Sequence, residues 1–241
     1  MVIQFNTDEE FQRLLASLAQ ELVDANIHWR LLSDLKEKIK IFSTEYNQSV
    51  AFWSLTFQAH LDATIFRLIR IYDGNSSSLS LKNLLDTISA NLGIFDTERF
   101  RERLRDNPFV ESLADDARKP EEQQLINDIA FVSNDNPIVK KLTIWRNNLF
   151  AHKSARNAVN GYNIATDYPL DEKEIEELLT TGMAILNRYN SLFHASTYST
   201  QIVGHDDYQF ILDSIRVNLE RMEQEVQNDI ARYEELKAKQ P

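Results

Sequence analysis

An arginine and a histidine stand six positions apart in "IWRNNLFAHKSARN", residues 144–157, and no acidic residue lies between or beside them. A guanidinium grips two phosphate oxygens at once and stabilises charge developing on them, while an imidazole titrates near neutrality and moves a proton. Arg146 and His152 are therefore a minimal set for cutting RNA without metal. The 2′-hydroxyl of RNA is its own nucleophile, so the protein need only position, deprotonate and neutralise. Metal binding fits the pair poorly, since it asks for several convergent ligands and tolerates a neighbouring guanidinium badly. No metal and no cofactor is expected.

The surrounding charge favours the same chemistry. Between Asn136 and Thr166 the chain carries Lys140, Lys141, Arg146, Lys153 and Arg156, together with His152, and no Asp or Glu. Taking those five positive charges out of the net charge of -11 leaves -16 on the rest. The overall balance argues against a protein coated for nucleic acid, but a basic island in an acidic chain is where an anion is drawn. A purely structural role fits the spacing as well: Arg146 capping carbonyls or stacking on Trp145, and His152 satisfying a helix C-terminus. On an ideal α-helix the two side chains lie roughly 120° apart and about 9 Å along the axis. One straight helix presents them badly together. A break near His152 closes the angle within one chain; a two-fold dimer, the preferred expectation, brings each motif to face its mate. Asn148, one turn before His152, falls on nearly the same face and is placed to orient the imidazole or a phosphate.

The elements that must position these residues read as helices throughout. Only five glycines and five prolines occur, and strand-like alternation is hard to find, which predicts an all-α chain. With 43% hydrophobic and 26% charged residues over 241 positions, the chain can bury a core without staples. The absence of cysteine excludes disulfides and thiolate metal sites and fits a reducing compartment. With no basic start leading into a long apolar run and no membrane-length apolar stretch, a cytoplasmic location away from any membrane is expected.

Thr7 and Glu10 form a capping-box pair for a first helix striped by Phe11, Leu14, Leu15, Leu18 and Leu22. A second segment is expected from about Ile27 to Tyr72, broken near Asn47, with Phe52, Trp53, Leu55, Phe57, Leu61, Ile65, Phe66, Leu68 and Ile69 as core. "DGNSSSLS", Asp73 to Ser80, breaks it. Shorter helices are expected over Leu81–Asn91, Asp96–Arg105, 108–117 and Pro120–Val132. The turn Ser133–Pro137 then launches the motif helix. A long polar loop follows, and Asp171 with Glu174 starts a helix running toward Phe193. A final helix over residues 206–239 carries a heptad-like stripe interrupted by Asp229, read as packing on its own domain or forming a dimer seam.

"RNNLFAH", with the polar Asn147 after Arg146 and His152 after five intervening residues, resembles the signature of the HEPN superfamily. Together with "RLIRIYDGNSSSLSLKNLLDTI", it is similar to the abortive-infection (AbiU-like) branch of that superfamily over about residues 11–193. The resemblance implies a helical bundle, usually dimeric, with two motifs meeting in an interface groove, and in many members a metal-independent endoribonuclease of toxin, antiviral or RNA-processing systems. Carried over, Arg146 binds and polarises the scissile phosphate, Asn147 positions it and His152 transfers protons. Asn148, Lys141, Lys153 and Arg156 complete the expected substrate-binding set. The fold expected is one HEPN-type helical domain over residues 1–241, core about 11–193, with an additional long C-terminal helix. The function expected is an endoribonuclease of a bacterial defence or toxin–antitoxin type system, acting on RNA as a homodimer and answering to an antitoxin or regulatory protein. The alternatives are a noncatalytic HEPN module binding a protein, nucleotide or RNA, and an assembly protein using its terminal helix. No glycine-rich phosphate loop, nucleophile elbow or zinc-spaced histidine pair is present.

Overall fold

Thr7 starts the first helix: its hydroxyl accepts from the Glu10 amide at 3.2 Å, while the Glu10 carboxylate accepts from the Asn6 amide at 2.6 Å. The computed structural model describes residues 1–116, 118–150, 159–161, 163–201, 204 and 206–238. Among them there is no strand, in keeping with an all-α HEPN-type fold, and no helix long and apolar enough to cross a membrane. Helix α1 spans Asp8–Lys38, α2 Ser43–Asn47, α3 Val50–Ile71, α4 Leu81–Ala90, α5 Thr97–Arg103, α6 Val110–Ala114, α7 Glu122–Phe131 and α8 Pro137–Trp145. After α8 come α9, Ile164–Asp167, α10, Glu172–His194, and α11, Tyr208–Ala238.

Two expectations are corrected. The first helix does not end before Ile27 but runs to Lys38, because its buried stripe continues in threes and fours through Ala25, Trp29, Leu32 and Leu35, with no glycine or proline to stop it. The interruption anticipated near Asn47 is there, with α2 set between residues 39–42 and 48–49. On α3, Trp53, Ile65, Leu68 and Ile69 are buried, whereas Phe52, Leu55 and Phe66 are exposed. Its apolar residues cover more of the circumference than the core-facing stripe, so hydrophobicity alone overstated its burial.

Contacts group the chain into two compact units, one of Met1–His28 with Leu61–Gln201 and one of Trp29–His60 with Ile202–Pro241. In the first, Phe11 of α1 stacks edge-on against Phe95 and Phe193, and Arg103 lies over the Phe193 ring, 3.8 Å from its centre, while donating to the Phe193 carbonyl. Asp128 of α7 is buried but satisfied, accepting from the Tyr189 hydroxyl at 2.7 Å and from Arg188. Tyr72, at the end of α3, donates to the Leu178 carbonyl of α10 at 2.6 Å, next to Gly182. In the second unit Tyr208 and Leu212 of α11 bury against Leu35, Phe42, Tyr46 and Trp53. Arg216 bonds the buried Glu45 carboxylate at 2.6 Å and lies over the Phe42 ring at 4.2 Å.

Local start signals account for several helices. Ser80 caps α4, Asn136 with Pro137 opens α8, and Asp171 with Glu174 forms a complete capping box on α10. Gly182 is different: a β-carbon there meets the Tyr72 hydroxyl at 2.8 Å and Leu22 at 3.2 Å. Gly182→Ala, which elsewhere in a helix stabilises by about 1 kcal/mol, is expected here to destabilise by about 1–2 kcal/mol in urea unfolding, because the anchored Tyr72 has to move.

Candidate functional site

The polypeptide reaches the motif through α8, whose first turn is fixed by the Asn136 side chain accepting from the Ile138 amide at 2.9 Å. Ile138, Val139, Leu142 and Trp145 bury the helix on its inner side, and the Trp145 indole donates to the Tyr168 carbonyl at 2.7 Å. The next residues do not continue as an α-helix. Arg146–Phe150 is a π-helical turn, with bonds one residue wider than those of an α-helix. A local cause is at hand: the Asn148 side chain donates to the Ile144 carbonyl at 2.8 Å. In an α-helix that carbonyl belongs to the Asn148 backbone amide, so the side chain competes with the α-helical bond and favours the wider register. Residues 146–150 do not keep the α register on which the ideal-helix offset of roughly 120° is reckoned.

Arg146 projects to a carboxylate that nothing near it in sequence supplies. Its Nη1 lies 3.0 Å from Asp73 Oδ1, with the arginine side chain 34% exposed and the aspartate 13%. Asp73 opens the loop after α3, and the same Oδ1 accepts from the Asn75 amide at 3.0 Å. The turn that ends α3 and the placement of the guanidinium therefore share one oxygen atom. Across from this loop, Asn134 accepts from the Thr143 hydroxyl of α8 at 2.8 Å. An arginine held on one edge by a carboxylate keeps a pre-set direction while its remaining N–H groups stay able to meet an anion.

The predicted site residues divide three ways. Arg146, Asn147 and Asn148 share the π turn, with Asn147 exposed and Asn148 engaged with the Ile144 carbonyl. Lys141 sits one turn earlier, where its ammonium donates to the Pro169 carbonyl at 2.9 Å and pairs with Glu174 of α10. His152, Lys153 and Arg156 lie outside the described residues. The island that is free of acid in sequence is thus partly neutralised in space, by Asp73 on Arg146 and by Glu174 on Lys141. Sequence reasoning missed Asp73, which it used only as part of a helix breaker. No local pattern marks such a partner, because the contact exists only once the loop after α3 meets the turn after α8. Among the described residues no group of three or more His, Cys, Asp or Glu is arranged to hold a metal ion.

Residues 8–216 match a family model described as AbiU2, of the HEPN class. The chain belongs to the HEPN AbiU2 family. Comparison with curated proteins and with solved structures gives no match. The family match takes in the first nine residues of α11 and includes Asp73 and the whole motif.

The Asp73–Arg146 pair is open to direct measurement. In a double-mutant cycle with Asp73→Ala and Arg146→Ala, the two changes are expected to be non-additive by about 1 kcal/mol in urea unfolding, as for a partly exposed pair with a well-placed carboxylate.

Proposed function

We propose that this HEPN AbiU2 chain is a metal-independent endoribonuclease of a bacterial defence or toxin–antitoxin type system, cutting RNA at a site composed from two copies of the motif. The observation that carries the reading is the intact Arg146, Asn147 and His152 signature in a family member whose arginine is partly exposed and aimed by a carboxylate. In this reading one imidazole takes the proton from the 2′-hydroxyl as its oxygen attacks the adjacent phosphorus. The P–O5′ bond breaks as the leaving 5′-oxygen takes a proton from an imidazolium of the composite site, and the product end is a 2′,3′-cyclic phosphate. Arg146 neutralises charge gathering on the non-bridging oxygens, and Asn147 fixes the phosphate. Lys141, Asn148, Lys153 and Arg156 draw and align the strand, as the basic island suggests. A homodimer supplies the second motif, and an antitoxin or other regulatory protein controls the activity.

A noncatalytic module that binds RNA, a nucleotide or a partner protein through the same face is the second reading. The pairing of Arg146 with Asp73 and of Lys141 with Glu174 favours it, since both cations already have counter-charges. A cleavage assay in the presence of chelator separates the two. The nuclease reading expects wild type to cut RNA and His152→Ala or Arg146→Ala to lose about 10²–10⁴ of the rate, with binding largely retained for His152→Ala. Equal cutting by His152→Ala, or RNA binding with no turnover by wild type, contradicts it.

A further inference from the structure

The terminal helix carries one heptad stripe that serves two environments. Tyr208 and Leu212 begin the stripe and are buried in the core of their own unit, where Arg216 adds its bond to Glu45. The same phase continues through Leu219, Met222, Val226, Tyr233 and Leu236, in steps of three and four with Asp229 filling the missing place. Met222, Val226, Tyr233 and Leu236 are each more than half exposed, and Leu219 is half-buried. An apolar row of this kind on a long helix is the shape of a coiled-coil seam. A shallow hollow lined by Val226, Asp229, Ile230, Tyr233, Glu234 and Lys237 has the make-up of a hole that receives a facing side chain. The seam lies beyond residue 216, where the family match ends.

We infer that residues 219–237 pair with the same segment of a second copy as an antiparallel two-stranded coiled coil in a single register. Charge selects both the partner and the direction. In a parallel, in-register pair, Asp229 faces Asp229 of the second copy inside the seam, and Arg232 flanks Lys237, so like charges meet at both places. In the antiparallel pair Leu219 faces Leu236, Met222 faces Tyr233 and Val226 faces Asp229. The flanking positions then bring Glu225 to Arg232 and Glu223 to Lys237, and two-fold symmetry repeats each contact. Sliding the antiparallel pair by one heptad sets Arg232 against Arg232 in one direction and Glu225 against Glu225 in the other. Only one register joins every flanking charge to its opposite. Within one chain Glu225 meets Arg221 at 4.0 Å, an exposed contact too weak to hold it from a partner. The overlap is about 27 Å long, and Asp229 lowers its stability while fixing its register. The inference is independent of the nuclease reading, because it uses no residue of the Arg146 motif.

The chain contains no cysteine, so single-cysteine variants report without background. Full-length Met222→Cys and Tyr233→Cys proteins are mixed, treated with a short bismaleimide and resolved by denaturing gel and mass spectrometry. A linked species containing one chain of each variant, with little linkage in either variant alone, is the expected result. Self-linkage of either variant by itself indicates a parallel pair and overturns the inference, and so does the absence of any linkage. Adding Arg232→Glu to both components is expected to lower the mixed yield about tenfold at limiting concentration, and adding Glu225→Arg as well to restore it. All of these positions are exposed, so circular dichroism is expected to be unchanged. A yield that rises with Arg232→Glu, or that the second reversal does not restore, also contradicts the proposed register. A seam reserved for a different protein gives neither linkage nor rescue.

Discussion

One oxygen of Asp73 ties two parts of the first unit together. It accepts from the Asn75 amide, which shapes the turn ending α3, and it faces the Arg146 guanidinium at the end of α8. A charged side chain that is two-thirds covered needs a counter-charge or a generous set of acceptors. Here the counter-charge comes from a loop whose own conformation depends on the same carboxylate. The arginine's direction is therefore set where the loop after α3 meets the turn after α8. The Asn148 side chain adds a second local constraint by taking the Ile144 carbonyl and opening the turn that carries the motif.

What could be read from sequence divides along the range of the interactions involved. Capping is local, so Thr7 with Glu10, the Ser133–Pro137 turn, and Asp171 with Glu174 marked helix starts that the structure contains. The all-α class followed from periodicity, and the HEPN relationship from a short signature in context. Long-range pairings left no trace: nothing adjacent to Arg146 or Lys141 signals Asp73 or Glu174, and the apparent basic island was partly an effect of reading along the chain only. The length of α1 was misjudged because a bulk apolar pattern was taken for a new segment when it was the old stripe continuing. The exposure of Phe52 and Leu55 was missed because hydrophobic content does not say which side of a helix meets a core.

The π turn was invisible for a different reason. Asn147 and Asn148 are merely weak helix formers by propensity, and only the bond from Asn148 back to Ile144 turns that weakness into a specific wider register. Such turns recur at functional positions because they re-aim side chains without ending the helix. In this chain the re-aimed stretch is the one that begins with Arg146. The terminal helix shows the complementary economy: one stripe at constant phase fills its own core with Tyr208 and Leu212 and then runs on as an exposed seam.

On the proposed reading, two copies of the Arg146–His152 motif face each other and build one composite cleavage site. Mixing inactive Arg146→Ala protein with inactive His152→Ala protein, under conditions in which subunits exchange, tests it most directly. In a mixed dimer the composite site contains an intact Arg146 from one chain and an intact His152 from the other. Recovery of metal-free RNA cleavage on mixing, rising with the mixed-dimer fraction and leaving a 2′,3′-cyclic phosphate, is the result this account predicts. A mixture no more active than its two components, although mixed dimers form, contradicts it.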